Sequence, residues 1–208
     1  MDRRLLVMDV DSTFIPQEQL DLLALEAGTG ELVAEITERM RQGEIEFAES
    51  LRQRTKALTG LEVEALERVR ATMSPTPGAP ELLEHARTNG WPVYLVSGGY
   101  HDLLDPFTAD MPITGIRANR LEIADGALTG RVLGEIVDRA GKETHLRAIA
   151  EAEGIPMERT IAVGDGANDI DMVRAAGLGV AFGGSTSLTA VADLVLPGPR
   201  LDALIDHL

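Results

Sequence analysis

At 208 residues and 44% apolar content, the chain is long enough for one domain of good size, or one domain carrying an insertion, and it can build a core without staples. It has no cysteine, which excludes disulfides, thiolate nucleophiles and cysteine-ligated zinc or iron–sulfur centres. A net charge of −15 repels phosphate backbones and anionic lipid, so neither nucleic acid nor a membrane is an expected partner, and 3% aromatic content leaves no base-stacking platform.

The N-terminus, Met1-Asp2-Arg3-Arg4, leads into only a short apolar run. That is the pattern of neither a signal peptide nor a membrane span, and a cytoplasmic location is expected. The run Leu5-Leu6-Val7-Met8 reads as a buried strand that exits into Asp9-Val10-Asp11-Ser12-Thr13. In an open α/β sheet, ligands collect at the carboxyl ends of strands. Two readings fit this exit. Asp11, Ser12 or Thr13 caps the next helix, or the two carboxylates divide labour between metal ligand or nucleophile and general acid/base.

Residues 17–27, 31–42, 46–59 and 62–73 then read as helices, punctuated by Gly28, Gly30, Gly43 and Gly60. This is too much chain for one crossover. A small helical cap over residues 16–74 is expected, with 1–15 and 75–208 forming a discontinuous core, and Ser74-Pro75-Thr76-Pro77-Gly78-Ala79-Pro80 is its return hinge. In the third of these helices Phe47, Leu51, Arg54 and Leu58 share one apolar face. A cation on that stripe needs a partner, either a ligand carboxylate gripped by the guanidinium or an internal salt bridge.

A helix over 80–89 precedes a second buried strand, Val93-Tyr94-Leu95-Val96, which exits into Ser97-Gly98-Gly99. That sequence suits either a serine cap or a phosphate held on backbone N–H groups at a helix start. Residues 120–123 and 128–132, joined through Asp125-Gly126, read as a β-hairpin. Lys142 opens the next helix, to 153, where the macrodipole disfavours a cation unless an anion is near. A third strand, Thr160-Ile161-Ala162-Val163, exits into Gly164-Asp165-Gly166-Ala167-Asn168-Asp169, more acid than one cap requires. A helix to Ala176 and strands at 178–182 and 193–196 complete a strand and helix alternation that implies a doubly wound parallel α/β sheet. Brought to neighbouring strand ends, Asp9, Asp11 and Asp165 would form an oxygen-rich site for a hard cation, with magnesium the natural guest.

The ordered set Asp9-Val10-Asp11-Ser12-Thr13, Ser97, Lys142 and Gly164 to Asp169 resembles the four motifs of the haloacid dehalogenase superfamily of phosphohydrolases. More narrowly, Asp9 to Ile15, Val96 to Tyr100, Ala118 to Leu121 and Val163 to Ile170 are similar to the phosphoserine phosphatase family. The resemblance implies a Rossmann-like core with a helical cap and a hairpin flap. It implies Asp9 as the nucleophile that forms an aspartyl-phosphate, and Asp11 as general acid/base. Magnesium is expected on the Asp9 carboxylate, the Asp11 main-chain carbonyl and Asp165. Ser97, Gly98 and Lys142 are implied on the phosphoryl group, with Asn168 and Asp169 in support. For the amino-acid end the implied residues are Glu18 at the ammonium, Arg54 at the carboxylate and Phe47 as a closing ring.

The implied activity is hydrolysis of phosphoserine, a small-molecule substrate, at the end of serine synthesis; oligomeric state is left open. Phosphoryl transfer to homoserine and hydrolysis of another small phosphoester are alternatives on the same chemistry, and a non-catalytic sensor is disfavoured by the intact pair of aspartates. The chain departs from the family pattern at Arg41 and at Gly183-Gly184-Ser185, positions that bear on substrate choice rather than on phosphoryl chemistry.

Overall fold

A computed structural model describes residues 3–208. Its frame is a seven-stranded sheet in the order β4-β3-β2-β1-β5-β6-β7. Strands β1 (Leu5–Met8), β2 (Val93–Tyr100), β5 (Thr160–Gly164), β6 (Leu178–Phe182) and β7 (Leu194–Leu196) are mutually parallel, and β3 (Gly115–Ala124) runs parallel to β2. Strand β4 (Ala127–Leu133) turns back on β3. The turn uses Asp125 and Gly126 at φ 51° and 77°, the positive pair a two-residue hairpin of the right twist demands.

Every residue of β1 is fully buried, as an unbroken apolar run covered on both faces requires. Burial of each large side chain contributes about 1.5–3 kcal/mol. The chain winds from β1 through β2 to β3 on one side and through β5 and β6 to β7 on the other. The winding therefore reverses at β1, and the crevice beyond its carboxyl end is where such a sheet receives a ligand.

Helices α1 (Gln19–Glu26), α2 (Gly30–Arg41), α3 (Phe47–Lys56) and α4 (Glu64–Thr72) lie between β1 and α5 (Ala79–Thr88). The outgoing and returning connections run side by side: Thr76 donates from N to Phe14 O (2.8 Å) and from Oγ1 to Thr13 O (2.7 Å). The loop between α3 and α4 is bonded to the hairpin, with Gly60 N on Leu128 O, Leu128 N on Leu61 O and Val63 N on Gly126 O, all within 2.9 Å. Helices α6 (His101–Phe107), α7 (Arg139–Ala152), α8 (Ile170–Ala175) and α9 (Thr186–Thr189) complete the layers. Among the described residues no helix is long and apolar enough to cross a membrane.

Three local expectations are corrected. Ser97-Gly98-Gly99 is not the turn at a helix start: β2 continues through it to Tyr100 and α6 begins only at His101. A register shift between Val96 and Tyr100 makes this possible, with the buried Asn119 of β3 donating from Nδ2 to Gly98 O (2.8 Å). The hairpin is not separate from the sheet, because β3 starts at Gly115 and its first half pairs with β2. Finally, α7 starts at Arg139, with Asp138 accepting from Gly141 N at 2.8 Å, so Lys142 stands one turn inside it.

Candidate active site

Asp9 follows the last residue of β1, and its N–H bonds Val163 O of β5 (2.9 Å), which sets it beside the exit of that strand. Its Oδ1 accepts from Val10 N (2.7 Å) and faces Lys142 Nζ at 2.6 Å. The same ammonium meets Asp169 Oδ1 at 2.7 Å. Asp169 Oδ2 accepts from the N–H groups of Gly166 (3.0 Å) and Asp165 (3.2 Å), tying the β5 exit to the lysine. Gly164 leaves the room for this, since a Cβ there would stand 2.3 Å from Asp169 Cγ. Lys142, Asp9 and Asp169 are all buried. Lys142, one turn inside α7, is thus compensated by two carboxylates.

The charges do not balance. Burial works against the Lys142 ammonium, but Asp169 and Asp9 outweigh it and hold the group charged. Asp9 is nonetheless pushed well above the usual carboxylate range by burial, Asp169 and Asp165, against the pull of Lys142. Asp165 rises to about 6, through burial first and then Asp169 and Glu18. One ammonium therefore faces an excess of negative charge.

Asp9, Asp165 and Asp169 each offer an oxygen within 4.8 Å of the others. Both oxygens of Asp169 are already engaged, which leaves Asp9 and Asp165 as the open donors. Among the described residues, Asp165 Oδ1 accepts only from Thr13 Oγ1, at 3.4 Å. Hard oxygen donors carrying uncompensated charge suit a hard divalent cation. The Asp11 carboxylate belongs to no such group, because Gln19 holds it: Gln19 N donates to Oδ1 (2.8 Å), and Nε2 to Oδ1 (3.1 Å) and Oδ2 (3.0 Å). The capping reading of the first strand exit holds for Asp11, whose side chain satisfies the first N–H of α1. Burial and Glu18 raise its pKa to about 7. Ser12, at φ 58°, turns the chain directly after Asp11.

Ser97 Oγ–H donates a long hydrogen bond to Asp11 Oδ2 (3.4 Å), and its Oγ accepts from Gly99 N at 2.8 Å. The ring of Phe47, the first residue of α3, lies over Gly98, where a Cβ would be 3.0 Å from its Cζ. Glu18 is exposed and accepts from Ser12 Oγ at 2.6 Å. Arg54 is buried on α3 with Nε unpartnered, and no ion pair reaches it among the described residues. Burial lowers its pKa, opposed by Tyr100, Asp21, Glu18 and Asp11. Asn168 is not bonded to the other site residues; its Oδ1 packs on Gly166, where a Cβ would come within 2.3 Å. Arg41 is exposed in the last turn of α2. Gly183-Gly184-Ser185 instead braces the β5 exit, with Ser185 N on Asp165 O at 2.8 Å.

Two buried amides escaped sequence reasoning. Asn119 joins Gly98 O to Val137 N, and Gln19 holds Asp11. Asn119 lies inside the segment Ala118 to Leu121 that carries the resemblance but was given no role, and Gln19 lies outside every such segment.

This fold, with an acid pair leaving the central strand and a buried lysine between two carboxylates, defines a class: the chain belongs to the haloacid dehalogenase-like hydrolases, whose family model matches residues 6–174. Within that class it is similar to phosphoserine phosphatases. Phosphoserine phosphatase SerB2 of Mycobacterium tuberculosis is 45% identical over 203 residues, which are 98% of this chain and 50% of that protein. The phosphoserine phosphatase of Streptococcus thermophilus is 43% identical over 204 residues, 98% of this chain and 95% of its own length. A solved phospho-aspartyl intermediate analogue of phosphoserine phosphatase matches with a TM-score of 0.93 at 36% identity, covering all of both chains. The chain spans half the length of the mycobacterial relative.

Proposed function

We propose that the chain is a magnesium-dependent phosphomonoesterase that hydrolyses O-phosphoserine to serine and phosphate in the cytoplasm. The observation that carries this reading is the Asp9–Lys142–Asp169 arrangement, in which Lys142 grips Oδ1 of Asp9 and Oδ2 is left without a hydrogen bond among the described residues. Asp9, Asp165 and the Asp11 carbonyl would hold magnesium, which when bound would supply positive charge against the phosphoryl oxygens. Ser97 Oγ–H, the Gly98 N–H and Lys142 bind the phosphoryl group, with Asn168 and Asp169 supporting them. Residues 16–74 act as the cap, from which Arg54 takes the substrate carboxylate, Glu18 its ammonium, and Phe47 closes over both. The relative that mimics a phospho-aspartyl state supports Asp9 as the nucleophile.

In the first step an Asp9 oxygen attacks phosphorus, the ester P–O bond breaks, and the serine alkoxide takes a proton from Asp11. In the second, water gives one of its own protons to the Asp11 carboxylate as it attacks phosphorus. The bond to Asp9 then breaks and phosphate leaves. A carboxyl with a pKa of about 7 is suited to both directions of transfer near neutral pH.

Phosphate release from phosphoserine with magnesium, beside a panel of other phosphorylated amino acids and sugars, tests the substrate. Asp9→Asn should abolish turnover and, by intact mass, fail to accumulate phosphorylated protein. Retained turnover would overturn the nucleophile assignment.

A further inference from the structure

Gln19 makes contacts that a helix-opening glutamine has no general reason to make. It is fully buried, and its Nε2 reaches both oxygens of Asp11. The orientation of the amide is set from its other end. The Tyr100 N–H donates to Oε1 at 3.1 Å, so the oxygen must face β2 and the NH2 must face Asp11. Gly99 provides the space: a Cβ there would stand 2.2 Å from Nε2 and 2.6 Å from Cδ of Gln19. The backbone of Gly99 is outside the left-handed region, and the three atoms nearest to such a Cβ all belong to this amide. One side chain thus ties α1 directly to β2 while holding the Asp11 carboxylate.

We propose that Gln19 is the positioning residue for Asp11, fixing the plane of its carboxylate so that a proton on it points at the leaving oxygen. The inference rests on the reading of Asp11 as proton donor. The backbone bond from Gln19 N to Oδ1 survives in Gln19→Leu, but with Oδ2 then held only by the long 3.4 Å contact from Ser97 Oγ among the described residues, the carboxylate plane is far less firmly fixed. Proton transfer demands alignment of donor and acceptor, so the loss falls on the step that needs the proton. An alkoxide such as that of serine must be protonated as it leaves, whereas the acetate of acetyl phosphate departs as the anion.

Gln19→Leu and Gly99→Ala, which displaces the amide, are compared with Asp11→Asn on phosphoserine and acetyl phosphate. The readout is kcat/KM, which covers the chain of events only through phosphoenzyme formation. Both variants should lose roughly 10- to 100-fold on phosphoserine and less than about threefold on acetyl phosphate, and their combination should be no worse than either alone. Equal losses on the two substrates, or none, would overturn the inference. If Asp11→Asn itself shows no bias between the substrates, the reading of Asp11 as proton donor fails. If only Asp11→Asn shows it, the role of Gln19 fails alone. Should Gln19→Leu not fold, Gly99→Ala carries the same test.

Discussion

Lys142 is the residue on which the site depends most directly. Its ammonium is completely buried, and it is tolerated there because Asp9 and Asp169 lie 2.6 and 2.7 Å away. Removing one member of a buried ionic group leaves the others uncompensated, which costs about 3–5 kcal/mol, more than the pair adds over an apolar replacement of both partners. Lys142→Met should therefore lower the free energy of unfolding by about that amount in urea denaturation, as well as abolish turnover. A loss below about 1 kcal/mol would mean that solvent reaches the two carboxylates and that the cluster is less closed than its geometry implies. Asp169 extends the same logic, because its second oxygen holds two N–H groups of the β5 exit and so positions Asp165 through the backbone.

At the scale of elements, helix α3 brings Arg54 to the site. Its sequence already places Phe47, Leu51 and Arg54 on one face, and in the structure Leu51 and Arg54 are buried while the Phe47 ring covers Gly98. The internal salt bridge that would have given Arg54 a structural role is absent among the described residues, and its Nε has no partner. A charge-assisted bond to a substrate carboxylate is worth about 1.5–3 kcal/mol, so Arg54→Ala should cut kcat/KM for phosphoserine by roughly 10- to 100-fold. A phosphoester without a carboxylate should be affected far less, and equal losses on both would make Arg54 structural.

The strand exits were legible because each is a sharp change from apolar residues to acids or small polar ones, a contrast local in sequence. The face of α3 was legible because helical periodicity is local too. What was not legible depends on distant partners. Gly98-Gly99 reads as a turn until Asn119 and Gln19, far away in sequence, hold it as the end of β2. The first half of β3, with Arg117 in its middle, has no apolar run to announce it, and its place is set by pairing with β2. Gln19 in a first helical turn looks like a solvated residue. Only the fold sets it against Tyr100 and Gly99.

At the scale of the whole molecule, the proposed function requires a chain of net charge −15 to attract a doubly charged anion. The field around Asp9, Asp11 and Asp165 makes this harder, and the same field makes the site a sink for protons or divalent cations. Asp11 rises from 3.8 to about 7 and Asp165 from 3.8 to about 6, with Asp9 displaced in the same direction. Without metal, the native state therefore holds protons that the unfolded chain releases near pH 4. The contribution of these groups is fully present below the unfolded values and is lost as pH rises through about 6 to 7. On the proposed reading magnesium would displace the protons of Asp9 and Asp165, so its stabilising effect should grow as pH rises through about 6. At a hundredfold excess over Kd it amounts to about 2.7 kcal/mol, or roughly 5–10 °C in Tm for a domain of this size. Thermal melts with magnesium and with chelator at pH 5 and pH 7.5 should show a small difference at the lower pH and the full one at the higher. The reverse order would mean that the raised carboxylates are not the ligands.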